Sequence, residues 1–210
     1  MNITIIGASA GVGLETVKRA IERNHKVTTL SRSGISVPAN ENLTTLKGSA
    51  TNKEDLKKSL ENAEAVIVAL GTGKSMKATT LYSDFAKLLT EVQQEMNLQI
   101  PFIVLTGFGA GDSGAYNSFF MKLFFRFLLK DVYADKTIME EIISKSKMKW
   151  EIVRPGLLKD KPLTEKYRLE TELFKGINIG SINRADVADF MVKQAEKPTE
   201  LYKYVSMSNL

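Results

Sequence analysis

Cysteine is absent from the 210 residues, which excludes disulfides, thiolate metal sites and a cysteine nucleophile. Histidine occurs once, at His25, so a histidine general base has a single candidate. No run of five like charges occurs, and 29 Lys and Arg against 24 Asp and Glu leave only +5. That dispersed excess suits an anionic small ligand and argues against nucleic acid. Long apolar runs are also missing. The longest, "FFMKLFFRFLL" (119–129), is short of the ~20 residues a membrane helix needs and carries Lys122 and Arg126. The opening "MNITIIGAS" has no basic region ahead of an apolar core. These absences predict a cytoplasmic protein that takes a small-molecule partner, with no membrane, no nucleic acid and no metal centre, as a monomer or homodimer.

What is present is an alternation. Short β-branched or apolar runs at 2–6, 26–32, 43–48, 64–71, 100–107, 149–156 and 201–207 read as strands. Between them, 14–24, 52–63, 78–97, roughly 117–145 and 184–197 have helical periodicity, with Asn52 as a cap for the second. Strands that alternate with helices pair in parallel through right-handed crossovers. The run "EAVIVALG" (64–71) is apolar throughout, as in a strand buried on both faces. The prediction is a single α/β domain over residues 1–210, doubly wound around a mostly parallel sheet. Its ligand belongs at the carboxyl ends of the strands.

Two loops compete for a phosphate. "IVALGTGKS" (67–75) ends like a P-loop in Gly73, Lys74 and Ser75, but the first glycine of that motif falls on Val68, inside the strand. "IIGASAGVG" (5–13) is the stronger claim, because Gly7, Gly11 and Gly13 stand between the first strand and the first helix. Gly7 permits a sharp turn, Gly11 a close approach of backbone to a diphosphate, and Gly13 close packing of the helix. Ala8, Ser9 and Val12 complete this phosphate-binding turn. The end of the second strand then selects the coenzyme. An NAD site has a carboxylate about 20 residues beyond the glycines. Here "LSRSG" (30–34) puts Arg32, 19 residues past Gly13, between Ser31 and Ser33. A guanidinium with two hydroxyls suits a 2′-phosphate, so NADPH is expected over NADH.

With these residues in place, the chain resembles an atypical short-chain dehydrogenase/reductase. It is similar to the NmrA-like NAD(P)H-binding group that includes flavin reductase/biliverdin-IXβ reductase. The resemblance runs through "KGSATNKEDLKKSLENAEAVIVALG" (47–71), "VLTGFGAGDS" (104–113) and "DVYADKTIMEEIISKSKMKWEIVRPGLLKDKPLT" (131–164), with Arg154-Pro155-Gly156 the most specific part. It implies a Rossmann sheet. It implies that Ser49 and Ala50 lie near the adenine, although the family commonly has Asp where Ser49 stands. It implies that Leu70, Gly71 and Thr72 line the coenzyme, and that Pro155, Gly156 and Leu157 pass near the nicotinamide. A small acceptor-side portion is expected around 157–183.

Thr106 and Lys136 are the candidate catalytic residues. Thr106, followed by Gly107, stands where relatives often have a Ser/Thr pair, and could donate a hydrogen bond to substrate or coenzyme. Lys136 matches a family position from which a basic side chain reaches the site; it could bind the ribose hydroxyls or polarise an acceptor. Tyr133 and Lys136 have Tyr-x-x-Lys spacing, one residue short of the Tyr-x-x-x-Lys used on alcohols and ketones. His25 falls at the amino end of the sheet, away from any ligand. The phenylalanines of 116–129 read as a buried helix face, with an acceptor wall or a self-association face as alternatives. Hydride transfer to FMN or FAD, as acceptor rather than resident cofactor, asks least of such a site. The alternatives are a non-catalytic dinucleotide sensor and a sugar-nucleotide epimerase or dehydratase.

Overall fold

A computed structural model of the chain describes residues 1–73, 80–116 and 129–210. Lys74, Ser75 and the phenylalanine-rich stretch 117–128 lie outside the described residues. The elements in chain order are β1 (Asn2–Ile6), α1 (Gly11–Glu22), β2 (Lys26–Ser31), β3 (Leu43–Lys47), α2 (Lys53–Leu60), β4 (Ala65–Val68), α3 (Leu81–Glu95) and β5 (Pro101–Leu105). A 3-10 helix (Gly111–Tyr116), α4 (Lys130–Ser144), β6 (Lys149–Pro155), β7 (Leu157–Lys159), β8 (Tyr167–Glu170), β9 (Ser181–Asn183), α5 (Arg184–Glu196) and β10 (Tyr204–Asn209) follow.

Among the described residues the main sheet runs β3-β2-β1-β4-β5-β6-β10-β8. Every pairing in it is parallel except β8 against β10. The chain winds outward from β1 to β2 and β3, then returns to lay β4 on the other side of β1. That reversal opens a crevice at the carboxyl ends of β1 and β4, where ligands bind in such sheets. Alternate residues face opposite sides. Ile3, Ile5, Ala65, Ile67 and Ile103 meet the α1 and α5 side, and Val66, Val68, Phe102 and Val104 meet the α3 and α4 side. All four residues of β4 are buried, because helices cover both faces. Asn52 caps α2 by accepting the Asp55 N–H at 2.9 Å.

Two expectations are corrected, and one region adds strands that the pattern does not show. Helix α1 begins at Gly11, inside the glycine turn, three residues before the apolar periodicity starts at Leu14. The closing strand is Tyr204–Asn209 instead of 201–207, because the chain is still turning at Tyr202, whose φ is 64°. Residues 157–183 hold three short strands: β7 and β9 pair in parallel, and β8 is the edge strand of the main sheet. Segments of three or four residues are too short to show a period.

Carboxylates fasten this last region. Asp186, fully buried, accepts the Thr164 and Glu165 amides at 2.8 and 2.9 Å and the Asn183 side chain at 2.8 Å. Asp189, also fully buried, accepts Arg19 Nε at 2.8 Å and the Tyr167 hydroxyl at 3.0 Å, with Lys193 at 2.7 Å. His25 sits at the amino end of β2, with Nε2 2.6 Å from Glu196, opposite the crevice. No helix among the described residues is long and apolar enough to cross a membrane.

Glu151, on β6, is fully buried and neither carboxyl oxygen has a hydrogen-bond partner. Burial pushes its pKa up to about 8; the nearby Glu200 adds to this and Lys203 opposes it. The unfolded carboxyl releases its proton near its ordinary 4.5, while the folded one keeps it until about 8. Native protein therefore loses stability as pH rises through that window. Glu151→Gln removes the titration. Its melting temperature relative to wild type should rise steadily from pH 5 to pH 8, and a pH-independent gap would refute this role for Glu151.

Candidate functional site

At the end of β1 the chain turns through Gly7, whose φ is +90°. A Cβ there would lie 2.5 Å from the Ala69 carbonyl oxygen, and a Cβ on Gly13 would lie 2.2 Å from the Gly7 carbonyl oxygen. Any side chain at either position would force the turn away from β4 or from α1. The N-cap of α1 is Ala10, which makes no side-chain cap bond, and no acid stands in the first turn. Neither the cap residue nor the first turn thus supplies a side-chain acceptor for the leading N–H groups. With the positive end of the helix dipole behind them, they suit an anion.

This turn borders a cleft of about 840 Å³. Gly7, Ser9, Gly11 and Val12 line it at the turn, and Ser31, Arg32 and Ser33 line it at the end of β2. Ser49 and Ala50 follow β3, Leu70, Gly71 and Thr72 follow β4, and Thr106 and Lys136 reach it from β5 and α4. Ala8 and Gly13 do not line it: both are buried and shape the turn from behind. Pro155, Gly156 and Leu157 line a neighbouring cavity instead.

The hydroxyls are more committed than the sequence implied. Ser31 donates to the Ser33 carbonyl at 2.7 Å, so its proton shapes the turn that carries Arg32 and is not offered to a ligand. Ser33 and Arg32 are exposed. The amide of Ser49 donates to Asp55 at 2.8 Å, and its hydroxyl pairs with that of Thr51 at 3.0 Å. Thr106 donates its one proton to Glu140 Oε1 at 2.6 Å. In this structure the Thr106 proton is thus engaged by Glu140 and not directed at the cleft.

Glu140 is itself buried and meets Arg154 through two bonds, Nε to Oε1 at 3.1 Å and Nη2 to Oε2 at 2.7 Å. Arg154 gives its third nitrogen to Asp112 at 2.7 Å and lies 4.0 Å from the Tyr204 ring centroid. The "RPG" sequence thus starts with a structural arginine, not a ligand-facing one. One turn before Glu140, Lys136 donates to the Thr106 carbonyl at 2.7 Å. Its ammonium stands 5.3 and 5.2 Å from the ring centroids of Tyr82 and Tyr133. Burial draws the Lys136 pKa down to about 8, with Glu140 opposing. Burial also pushes Tyr133 up to about 12.

Tyr133 explains Gly107. A Cβ on Gly107 would lie 2.7 Å from the Tyr133 hydroxyl oxygen. The aromatic hydroxyl stands beside the position where the resemblance expects a Ser or Thr. Behind the lining, the buried Asp135 accepts the Tyr82 and Ser83 amides at 2.8 and 3.2 Å. A carboxylate on α4 thus caps α3, whose own N-cap residue makes no side-chain cap bond. The neighbouring cavity, about 520 Å³, shares Thr106, Leu129, Tyr133, Lys136, Leu158 and Arg184 with the cleft. Phe108, Leu157 and Ile179 add apolar wall, and β7, β9 and their flanks form its outer side. Sequence reasoning missed Tyr82, Glu140 and Arg184. Glu140 could have been found as the i+4 neighbour of Lys136 on one helix face; Arg184 had no signal.

Residues 7–198 match the model of a family described as NAD(P)H-binding. Many solved structures are similar in fold, among them the following three. A Streptococcus pneumoniae protein with the provisional name NADH-flavin reductase is 23% identical over 100% of both chains, with a TM-score of 0.80. ChuY of Escherichia coli, described as an anaerobillin reductase, is 19% identical over 100% of this chain and 97% of its own, with a TM-score of 0.78. A Veillonella parvula short-chain dehydrogenase/reductase in complex with NADP is 18% identical over 99% of this chain and 94% of its own, with a TM-score of 0.81.

The Glu140–Arg154 pair sets a stability prediction. Removing one partner of a buried pair leaves an uncompensated charge and costs about 3–5 kcal/mol. Glu140→Leu should show that loss in denaturant unfolding, and the double variant Glu140→Leu with Arg154→Met should recover much of it. A single-variant cost below about 1 kcal/mol would show that the pair is not what holds this corner.

Proposed function

The chain belongs to the NAD(P)H-binding family, and on that footing we propose that it is an NADPH-dependent reductase passing hydride to a flavin or similar planar acceptor. One observation carries the reading. The long cleft and the apolar cavity beside it share a wall at Thr106, Tyr133 and Lys136, so two flat molecules can meet there.

The residues present fit a dinucleotide phosphate. The uncapped start of α1 can hold the diphosphate. Arg32, with Ser33 beside it, can hold the 2′-phosphate, since no carboxylate lines the cleft at the end of β2. Leu70, Gly71 and Thr72 then flank the dinucleotide, and Pro155, Gly156 and Leu157 border the reacting end. When bound, the reduced nicotinamide supplies the hydride. The chain supplies orientation, which can account for much of the acceleration. Lys136 has three N–H donors and uses one on Thr106. The others can meet ribose hydroxyls or an acceptor oxygen. In this reading residues 157–183 are the acceptor-side portion of the domain, and water supplies the proton.

A second reading, a dinucleotide sensor without turnover, is supported by the commitment of the Thr106 proton to Glu140. Mixing the protein with NADPH and FMN or FAD, and following nicotinamide absorbance, separates the two. Oxidation supports the reductase. Tight binding without oxidation across several planar acceptors supports the sensor.

Coenzyme preference is the first expected outcome. A charge-assisted contact of about 1.5–3 kcal/mol corresponds to about 10- to 100-fold tighter binding of NADPH than NADH. Arg32→Gln should bring the two affinities close together, and tighter NADH binding by wild type would overturn the assignment. The second outcome concerns pH. Charged Lys136 is lost as pH rises through about 8, so kcat/KM should fall above that value. In Lys136→Met that limb should vanish at a lower plateau; an unchanged limb would mean another group titrates.

A further inference from the structure

Arg184 is the first residue of α5, where the helix dipole disfavours a cation. Its place is fixed by other contacts. If Gly11 carried a Cβ, that atom would lie 3.6 Å from Arg184 Nε and 3.9 Å from Cδ, so the guanidinium arm stands over the first residue of α1. Arg184 also lines both the cleft and the neighbouring cavity. Among the described residues its one ion pair is with Asp160, Nη1 to Oδ1 at 2.8 Å, and the Asp160 side chain is 88% exposed. The segment that carries Asp160 is fastened without help from Arg184. Asp186 holds the Thr164 and Glu165 amides, and the Asn183 side chain donates to the Pro162 carbonyl at 3.2 Å.

We propose that Arg184 contacts the coenzyme, closing on the diphosphate from the side opposite the α1 amides, and that Asp160 competes with the diphosphate for it. The inference rests on the reading of the cleft as a dinucleotide site. An exposed carboxylate pair is weak in water, whereas a diphosphate offers more charge and a planar match for the guanidinium fork. Binding therefore exchanges one anion for another. Asp160 lowers coenzyme affinity only through Arg184.

The experiment is a calorimetric titration of wild type, Arg184→Met, Asp160→Asn and the double variant. The probes are NADPH and 2′-AMP; the latter keeps the adenosine and 2′-phosphate but lacks the diphosphate. Arg184→Met should weaken NADPH by about tenfold or more while leaving 2′-AMP unchanged, which also shows that the variant is folded. Asp160→Asn should tighten NADPH by a few-fold. The double variant should match Arg184→Met. Unchanged NADPH affinity in Arg184→Met, an equal loss for 2′-AMP, or an Asp160→Asn effect that survives in the double variant would each overturn the proposal. Wild type that binds neither probe would instead remove the dinucleotide reading beneath it.

Discussion

The buried carboxylate of Glu140 holds the working end of this sheet together. It takes two bonds from Arg154 on β6 and one from Thr106 at the end of β5. A helix and two strand ends are thereby pinned to one anion. The desolvation of such a pair is expensive, and only near-complete hydrogen bonding offsets it. Here the guanidinium is satisfied further by Asp112 and the face of Tyr204. The position of Lys136 follows, because it shares α4 with Glu140 and donates to the backbone of the residue that Glu140 holds.

The cleft is organised by where negative charge is missing. The first turn of α1 has no acid, and the lining at the end of β2 carries Arg32 with no carboxylate. The carboxylate that does line the cleft, Asp160, is paired with Arg184, and acids behind the lining are occupied: Asp55 by the Ser49 amide, Asp135 by the start of α3, Glu140 by Arg154. A phosphate entering at the turn and the end of β2 meets amides and a guanidinium group, and the side-chain hydroxyls around it mostly shape loops.

Much of the frame was legible in the sequence. A continuous apolar run such as 64–71 has little freedom except as a strand covered on both faces, and glycines directly after a first strand imply a turn that other residues cannot make. Ser31, Arg32 and Ser33 fell at the end of β2 because strand length is set by the pattern before it. The rest was illegible for physical reasons. The Glu140–Arg154 bond joins a helix to the next strand, and no periodicity records that the two side chains converge. Whether a hydroxyl such as that of Thr106 is offered or already used depends on a carboxylate 34 residues away. Arg184 reaches Gly11 only after most of the chain has folded between them.

The cap that Asp135 provides has a mechanical consequence. Helix α3 does not close its own start; two of its first amides are held by a side chain rooted in α4. Tilting α4 would strip those amides or drag the beginning of α3 with it. The ammonium that stands between Tyr82 and Tyr133 has one ring on each helix. The start of α3 and the lysine on α4 are thus tied to each other through Asp135 and the two rings.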